Sequence, residues 1–217
     1  MKKLNHKPEY GNVKFSDLKH SNEIAERDEG LVWKNFQEGD NQSLIYLYSK
    51  YVEKLFLYGQ QFCDSKDFVQ DCIQELFYEL IDRRKSLSQA KSVKAYLFIS
   101  LKRKILRELK KSNKEEVADA FTFSFLEPAI SISKNLKEED YKLIYNKTNE
   151  LPTSQREVIF LYFYEGLSYS EIADIMNIKT ATARTLTYRA LENLEKKIGP
   201  HLTSFYLLIL INKLDLF

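Results

Sequence analysis

The residues best suited to binding another molecule lie near the C-terminus, in "SEIADIMNIKTATARTLTYRAL" at 170–191. From residue 180 onward, small or apolar residues recur every three or four positions, which predicts a helix with one buried face. This predicted buried face consists of Ala183, Thr187, Ala190, Leu194 and Ile198. The opposite face carries Thr180, Arg184, Thr185 and Tyr188. Hydroxyl and guanidinium groups in such a row donate hydrogen bonds to base edges and phosphates, so this face predicts nucleic-acid binding.

A shorter helix is predicted just before this one. Its apolar residues are Ile172, Ala173, Ile175 and Met176. Ser170 is expected to cap its N-terminus, with Glu171 favourable in the first turn. Asn177 tolerates a left-handed backbone and therefore suits the turn between the two helices. Two helices joined by a tight turn, with polar and basic groups on the second, predict a helix-turn-helix.

Charge is strongly segregated along the chain, although the whole sequence carries a net charge of only +2. Residues 38–82 hold nine acidic and three basic residues, a net charge of −6. Residues 83–114 hold twelve basic residues and one acidic residue (+11), and residues 115–150 hold eight acidic and four basic residues (−4). A basic block between acidic ones predicts a polyanion site, because neutralising phosphates drives much of the affinity for nucleic acid.

Most of the basic block falls on one predicted helix, "SVKAYLFISLKRKILRELKK". Its apolar stripe advances in steps of four residues and consists of Val93, Leu97, Leu101, Ile105 and Leu109. Four cations lie roughly opposite this stripe, namely Arg103, Arg107, Lys110 and Lys111. The pattern predicts an amphipathic helix with a basic outer face.

No residue pattern points to catalysis. The sequence lacks a phosphate-binding glycine loop, a metal-ligand cluster and a nucleophile motif, so we predict no catalytic residue, cofactor, metal or small-molecule substrate. Cys63 and Cys72 have no Cys or His partner at ligand spacing, which favours free thiols in a reducing cytoplasm. The apolar run at 205–211 is far shorter than the ~20 residues of a membrane-spanning helix, and we expect it to pack on the chain.

The predicted fold class is all-α, with two helical domains joined by a linker. Leu, Lys, Glu and Ile dominate the sequence, and it contains only 6 Gly and 4 Pro. Clustered phenylalanines at 121, 123 and 125 indicate that the linker packs against something. The predicted boundaries are a flexible extension at 1–28, a helical domain at 29–111, a linker at 112–140, a helix-turn-helix domain at 141–198 and an apolar tail helix at 199–217.

The order of these parts resembles that of the sigma-70 family of bacterial RNA polymerase sigma factors. The resemblance covers about 30–198 and includes "LPTSQREVIFLYFYEGLSYSEIA" before the helix-turn-helix. The chain looks most like the small extracytoplasmic-function (ECF) group, which keeps only regions 2 and 4 of the family. The resemblance implies a cytoplasmic protein that binds core RNA polymerase and promoter DNA, promotes melting, and starts transcription of a specific regulon. An anti-sigma factor is a further expected partner.

One part of the resemblance concerns the polymerase. "DCIQELFYELI" is similar to the family's "DLVQEVFLKLW", which docks on the clamp helices of the largest polymerase subunit. Asp71, Gln74, Glu75 and Phe77 stand at the matching positions. Helical spacing alone favours another interpretation, with Phe77 in the core and the acidic side chains merely solvated. The resemblance instead predicts a polymerase-binding surface.

A second part concerns promoter opening. "SVKAYLFISLKRKILRELKK" resembles the family's segment at the upstream edge of the transcription bubble, and Lys94, Tyr96, Lys102 and Arg103 match its positions. Melted bases stack on aromatic rings while cations follow the backbone, with stacking worth roughly 1–3 kcal/mol per base. With Arg107 from the basic face, these residues form the predicted DNA-opening set. The preceding loop, "RRKSLSQAKSV", corresponds to the family's base-capturing loop.

The third part concerns the second helix of the helix-turn-helix. The family's approximate "ISEGTVKSRLSRARKKL" aligns with "IKTATARTLTYRALENL", and Thr182, Arg184, Thr185 and Arg189 are kept in type. Leu186 and Leu191 replace residues that are usually basic. The predicted contact set for the upstream promoter element is Thr180, Thr182, Arg184, Thr185, Tyr188 and Arg189.

Two other functions remain open from the sequence. A helix-turn-helix repressor or activator would bind DNA without polymerase, usually as a dimer. A sigma-like decoy would titrate a regulatory partner without starting transcription. The apolar tail and the two leucines in the recognition helix are compatible with such a decoy.

Overall fold

The computed structural model describes residues 28–111, 121–122 and 138–212, and within these ranges the chain is helical without strands. The predicted all-α class is therefore confirmed. The predicted extension, apart from Asp28, most of the predicted linker and the last five residues lie outside the described residues. The helices are α1 (Glu29–Glu38), α2 (Asn41–Gln60), α3 (Lys66–Arg83), α4 (Val93–Lys111), α5 (Glu138–Asn149), α6 (Thr153–Ile159), α7 (Tyr169–Met176), α8 (Thr180–Ile198) and α9 (Pro200–Asn212).

Helices α1–α4 form the first bundle, and capping residues define where three of them begin. Asp28 Oδ1 accepts from the Gly30 amide at 2.9 Å, and Asp40 and Ser65 cap α2 and α3 in the same way. On α4, every residue of the predicted apolar stripe is buried. The stripe packs against α2 and α3, which leaves the four cations of the predicted basic face exposed, whereas Lys104 of the same helix is buried.

Helices α5–α9 form the second bundle, which contains the helix-turn-helix α7–α8. All five residues predicted to face inward from α8 are buried, and Asn177 adopts the predicted left-handed backbone, with φ 54° and ψ 49°. A π-helical turn, Phe160–Tyr164, continues α6 and leads towards α7. The short turn at Asn177 fixes α7 and α8 relative to each other.

The predicted cap of α7 is wrong by two residues. Ser168, not Ser170, is the N-cap: its Oγ accepts from the Glu171 amide at 3.3 Å, and Glu171 Oε2 accepts from the Ser168 amide at 2.8 Å. This reciprocal capping box satisfies two amides that a helix N-terminus leaves without partners. Ser170 stands two residues too late for such a pair with Glu171 and lies inside the first turn.

The apolar tail forms α9, which packs against α8 and the π-helical turn, as expected. Tyr206 on this helix is fully buried. No helix among the described residues combines the length and apolar character needed to cross a membrane.

The two bundles share one continuous apolar core. Tyr58 of α2 stacks on Phe160 of the second bundle, with ring centroids 5.7 Å apart. Phe121, from the predicted linker, is buried beside both rings, and the Thr122 amide donates to the Gln61 carbonyl at 2.8 Å. At these two described positions the linker packs against the bundles, as its phenylalanines predict.

Candidate nucleic-acid interface

The predicted recognition surface on α8 is open to solvent. All six of its predicted contact residues are exposed: Thr180, Thr182, Arg184, Thr185, Tyr188 and Arg189. The buried face of α8 packs against α6 and α7, which fixes the direction in which the exposed face points. The hydroxyl of Thr185 donates to the Ala181 carbonyl at 2.9 Å and is therefore already engaged within the helix.

Arg184 does not extend freely from this surface. Its guanidinium lies 5.4 Å from the ring centroid of Tyr169, the first residue of α7. Tyr169 in turn stacks on Tyr162, with centroids 4.8 Å apart and planes 13° from parallel. Partial burial, with a hydrogen bond to Tyr162, raises the pKa of Tyr169 to about 12. Sequence reasoning missed both tyrosines, because neither lies on the recognition helix.

The two leucines that depart from the family pattern point partly inward. Leu186 is half-buried and packs against the core, and Leu191 is also half-buried. These positions therefore contribute to packing more than to the outer face of α8. The exposed cations of the recognition surface are Arg184 and Arg189.

A second surface surrounds the outer side of α4. Arg103 and Arg107 are exposed and line a cleft of about 260 Å³ together with Tyr96 and Ser100. The Tyr96 ring is held edge-on against Trp33, 5.3 Å between centroids. The cleft thus combines an aromatic ring with guanidinium groups, the two group types that bind unpaired bases and their backbone.

Two of the predicted DNA-opening cations face the second bundle instead of the cleft. Lys94 Nζ lies 2.8 Å from a carboxylate oxygen of Glu165, and Lys102 Nζ lies 2.6 Å from one of Glu157. The Tyr58 hydroxyl also donates to Glu157, at 2.7 Å. Both glutamate side chains are almost completely buried, with exposed fractions of 1% and 6%. Sequence reasoning could not find these partners, which lie 55 residues or more away along the chain.

Two acidic groups at this interface, Glu165 and Glu171, have opposite pKa shifts. Burial raises the pKa of Glu165, and the nearby Lys94 opposes this effect only in part. For Glu171, burial acts in the raising direction, but hydrogen bonds from Ser168 and Ser92 outweigh it and lower the pKa. The Ser92 hydroxyl, just before α4, donates to Glu171 at 2.6 Å. Glu171 therefore both caps α7 and joins the two bundles.

The predicted polymerase-binding residues do not share one surface. Asp71, Gln74 and Glu75 are exposed on α3, but Phe77 is 1% exposed and packs edge-on against Tyr48. Helical phase explains the difference, since position 77 belongs to the apolar stripe of α3 that includes Ile73. Phe77 supports the helix from inside. An unpredicted residue, the half-exposed Tyr78, lies on the outer side.

Comparison with known proteins matches both bundles to one family. Models of "Sigma-70 region 2" and "Sigma-70, region 4" match residues 47–115 and 141–194. RNA polymerase sigma factor SigV of Bacillus subtilis is 31% identical over 130 residues, 59% of this chain and 74% of SigV. The ECF RNA polymerase sigma-E factor of Escherichia coli is 27% identical over 183 residues, 80% of this chain and 95% of that protein.

Solved structures show the same fold. CnrH, in complex with the cytosolic domain of CnrY, has a TM-score of 0.55 at 17% identity and covers 77% of this chain and 95% of its own. The sigma factor RpoE of Bartonella quintana, in complex with the anti-sigma factor NepR, has a TM-score of 0.50 at 20% identity and covers 76% and 97%.

The fold of two helical bundles, the second with a helix-turn-helix, together with these matches places the chain among the two-domain transcription initiation factors. The chain belongs to the sigma-70 family of RNA polymerase sigma factors, in its ECF group. The expected family resemblance is therefore confirmed.

Proposed function

We propose that this sigma factor binds core RNA polymerase through α3, recognises the upstream promoter element through α8, and opens promoter DNA at α4. The observation that carries the proposal is the separation of three surfaces, each with the chemistry its role requires. The α8 face presents hydrogen-bond donors, the α4 cleft combines an aromatic ring with cations, and the outer face of α3 is acidic and polar.

Recognition of the upstream element rests on the N-terminal half of α8. In a helix-turn-helix, this part of the second helix enters the major groove. Arg184 lies there, and an arginine that bonds guanine in a bidentate way discriminates by about 1–3 kcal/mol at one base pair. The remaining exposed hydroxyls and Arg189 fix the register through phosphates, which carry no sequence information directly.

Promoter opening rests on the cleft beside α4. Tyr96 offers a stacking surface for an unpaired base, and Arg103 and Arg107 neutralise the backbone on either side. Lys94 and Lys102 join this site only when the second bundle moves away, because Glu165 and Glu157 hold both ammonium groups in the present arrangement. The proposed active form is therefore more open than the described one.

The proposed partners follow from the family and from its relatives. Asp71, Gln74 and Glu75 form the proposed contact with the clamp helices of the largest polymerase subunit. Of the two solved structures with the same fold, the sigma factor RpoE is in complex with the anti-sigma factor NepR, and CnrH is in complex with the cytosolic domain of CnrY. We include an anti-sigma factor among the proposed partners of this chain.

Transcription with purified core polymerase on a library of random promoters tests this function. The chain should direct specific initiation, and the selected promoters should share an upstream and a downstream element. A helix-turn-helix regulator would bind DNA without core polymerase and start no transcription. A decoy would bind core polymerase or a regulator, yet it would select no promoter.

A further inference from the structure

Three aromatic and cationic groups form a column at the edge of the helix-turn-helix. The Arg184 guanidinium lies over the Tyr169 ring at 5.4 Å, and Tyr169 stacks nearly parallel on Tyr162 at 4.8 Å. Tyr162 is itself held by Phe163, whose ring contacts it edge-on at 4.9 Å. The column runs from the π-helical turn, through the start of α7, to the recognition helix.

The base of this column is rigid. Tyr169 is the first residue of α7 and lies between Ser168 and Glu171, the two residues that form the capping box. The backbone that carries its ring is therefore fixed by two reciprocal hydrogen bonds, and Tyr162 fixes the ring from the other side. Both tyrosines are half-buried, so their rings have little freedom to move away from the column.

Arg184, by contrast, is exposed, and its long side chain has many rotamers. A guanidinium over an aromatic face gains electrostatic attraction, even at an exposed site. Its plane and its five donors are then held in a restricted orientation before DNA arrives, so that less rotamer entropy is lost for each hydrogen bond formed. Among the described residues, no acidic side chain forms an ion pair with this guanidinium and competes with Tyr169 for it.

We propose that Tyr169 is a positioning residue that orients Arg184 for base recognition, with Tyr162 as its support. This inference rests on the proposed role of Arg184 in reading the upstream element. Tyr169 contributes through its ring face rather than its hydroxyl, because the guanidinium lies over the ring. A phenylalanine at this position keeps the function and a leucine loses it.

The test compares Tyr169→Phe, Tyr169→Leu, Arg184→Ala and the double variant Tyr169→Leu/Arg184→Ala, each bound to core polymerase. Transcription from a library randomised in the upstream element gives the base-preference ratio at every position. At the base pair that Arg184 reads, Tyr169→Leu should reduce this ratio by about two- to fivefold, the loss expected for one exposed cation–π contact. Tyr169→Phe should retain the ratio, and the double variant should equal Arg184→Ala.

The outcomes distinguish the positioning role of Tyr169 from the proposed recognition of DNA by Arg184. If Arg184→Ala leaves every base-preference ratio unchanged, Arg184 does not recognise bases, and the positioning role of Tyr169 is also wrong. If Arg184→Ala removes a preference but Tyr169→Leu weakens all promoters equally, the tyrosine is only structural and the inference is wrong.

A second variant covers the case in which Tyr169→Leu fails to fold. Tyr162→Leu removes the support and leaves the capping box intact, and it should lower the same base ratio by a smaller factor. Circular dichroism of each variant establishes that the fold is retained. If a folded Tyr162→Leu protein keeps the base-preference ratio of the wild type, the stacked tyrosines do not orient Arg184.

Discussion

At the scale of single residues, Arg184 is the side chain on which the proposed promoter specificity depends most. Arg184→Ala should abolish the preference at one base pair of the upstream element, a loss of about 1–3 kcal/mol. Lys196→Ala is the matched control, since Lys196 also lies exposed on α8 but pairs with Glu192 at 2.7 Å near its far end. If Arg184→Ala shows the same preference among the possible base pairs at that position as the wild type does, base recognition by Arg184 is contradicted.

Arg103 and Arg107 carry the proposed contacts of the α4 cleft with melted DNA. Their joint replacement by Ala should slow open-complex formation and lower the salt-dependence slope by about one for each lost phosphate contact. Lys34→Ala removes an exposed cation from α1 and should leave the slope unchanged. Open-complex rates at several salt concentrations provide the measurement, and identical slopes for wild type and the double variant would exclude these contacts.

At the scale of elements, the capping box determines where α7 begins. Ser168→Ala should lower the free energy of unfolding by about 1 kcal/mol, since it removes an N-cap acceptor. Ser170→Ala should have little effect, which makes it the natural control two residues away. Urea denaturation of both variants measures the difference, and equal losses would show that the box does not hold the helix.

The same box predicts a pH dependence. The folded pKa of Glu171 lies below its unfolded value, so this carboxylate stabilises the fold above the unfolded pKa. Its contribution is lost as pH falls through the folded pKa, because protonation removes the negative charge that strengthens the hydrogen bonds from Ser168 and Ser92. Glu171→Gln should therefore reduce stability at neutral pH and have a smaller effect in acid, as measured by denaturation at both pH values. If wild type and Glu171→Gln differ by the same free energy of unfolding at neutral and at acidic pH, the charge of Glu171 is not the source of the stabilisation.

Helix α3 presents the proposed polymerase contact. Gln74→Ala together with Glu75→Ala should weaken binding to core polymerase while the helix content stays the same. Lys104, which pairs with Glu75 at 2.9 Å, keeps its second partner Glu79 at 2.8 Å and remains neutralised. Glu38→Ala, an exposed acid on α1, serves as the control. An affinity of the double variant for core polymerase equal to that of the wild type, measured by titration, would contradict the proposed contact through α3.

Helical periodicity predicts much of the fold at this scale, since burial follows the phase of apolar residues. The stripe of α4 and the inner face of α8 are both confirmed for this reason. Periodicity does not locate the cap of α7, because Ser168 and Ser170 are both suitable acceptors, and only the reciprocal bond with Glu171 distinguishes them. The family match places Phe77 in the polymerase contact, whereas the helical phase of this position places its side chain inside the bundle.

At the scale of the whole molecule, the arrangement of the two bundles was not predictable from local sequence. Lys94 and Lys102 appear on the sequence as free cations, whereas their partners Glu165 and Glu157 lie on the second bundle. Tyr58 and Phe160 meet in the same way across the interface. Such contacts depend on long-range packing, which periodicity and charge counts do not encode.

The interface itself leads to a prediction about DNA access. Glu157→Gln with Glu165→Gln should weaken the closed arrangement, because each change removes the charge that holds a lysine against the second bundle. The free protein should then bind a single-stranded promoter fragment more tightly, as measured by fluorescence anisotropy.

Glu150→Gln with Glu192→Gln is the matched control, since it removes the same number of charges from exposed ion pairs. It should raise the affinity for DNA less than the interface variant does. Equal gains for the two double variants would mean that only net charge matters and that the interface does not restrict the lysines.

Detection of melted promoter DNA tests the central claim most directly. A promoter selected by transcription from the random library is treated with permanganate, which modifies unpaired thymines, in the presence of core polymerase with and without this chain. The proposed function predicts reactive thymines in the downstream element only when both are present. Specific initiation without reactive thymines, or the same reactivity with core polymerase alone, would contradict a role for this sigma factor in opening the promoter.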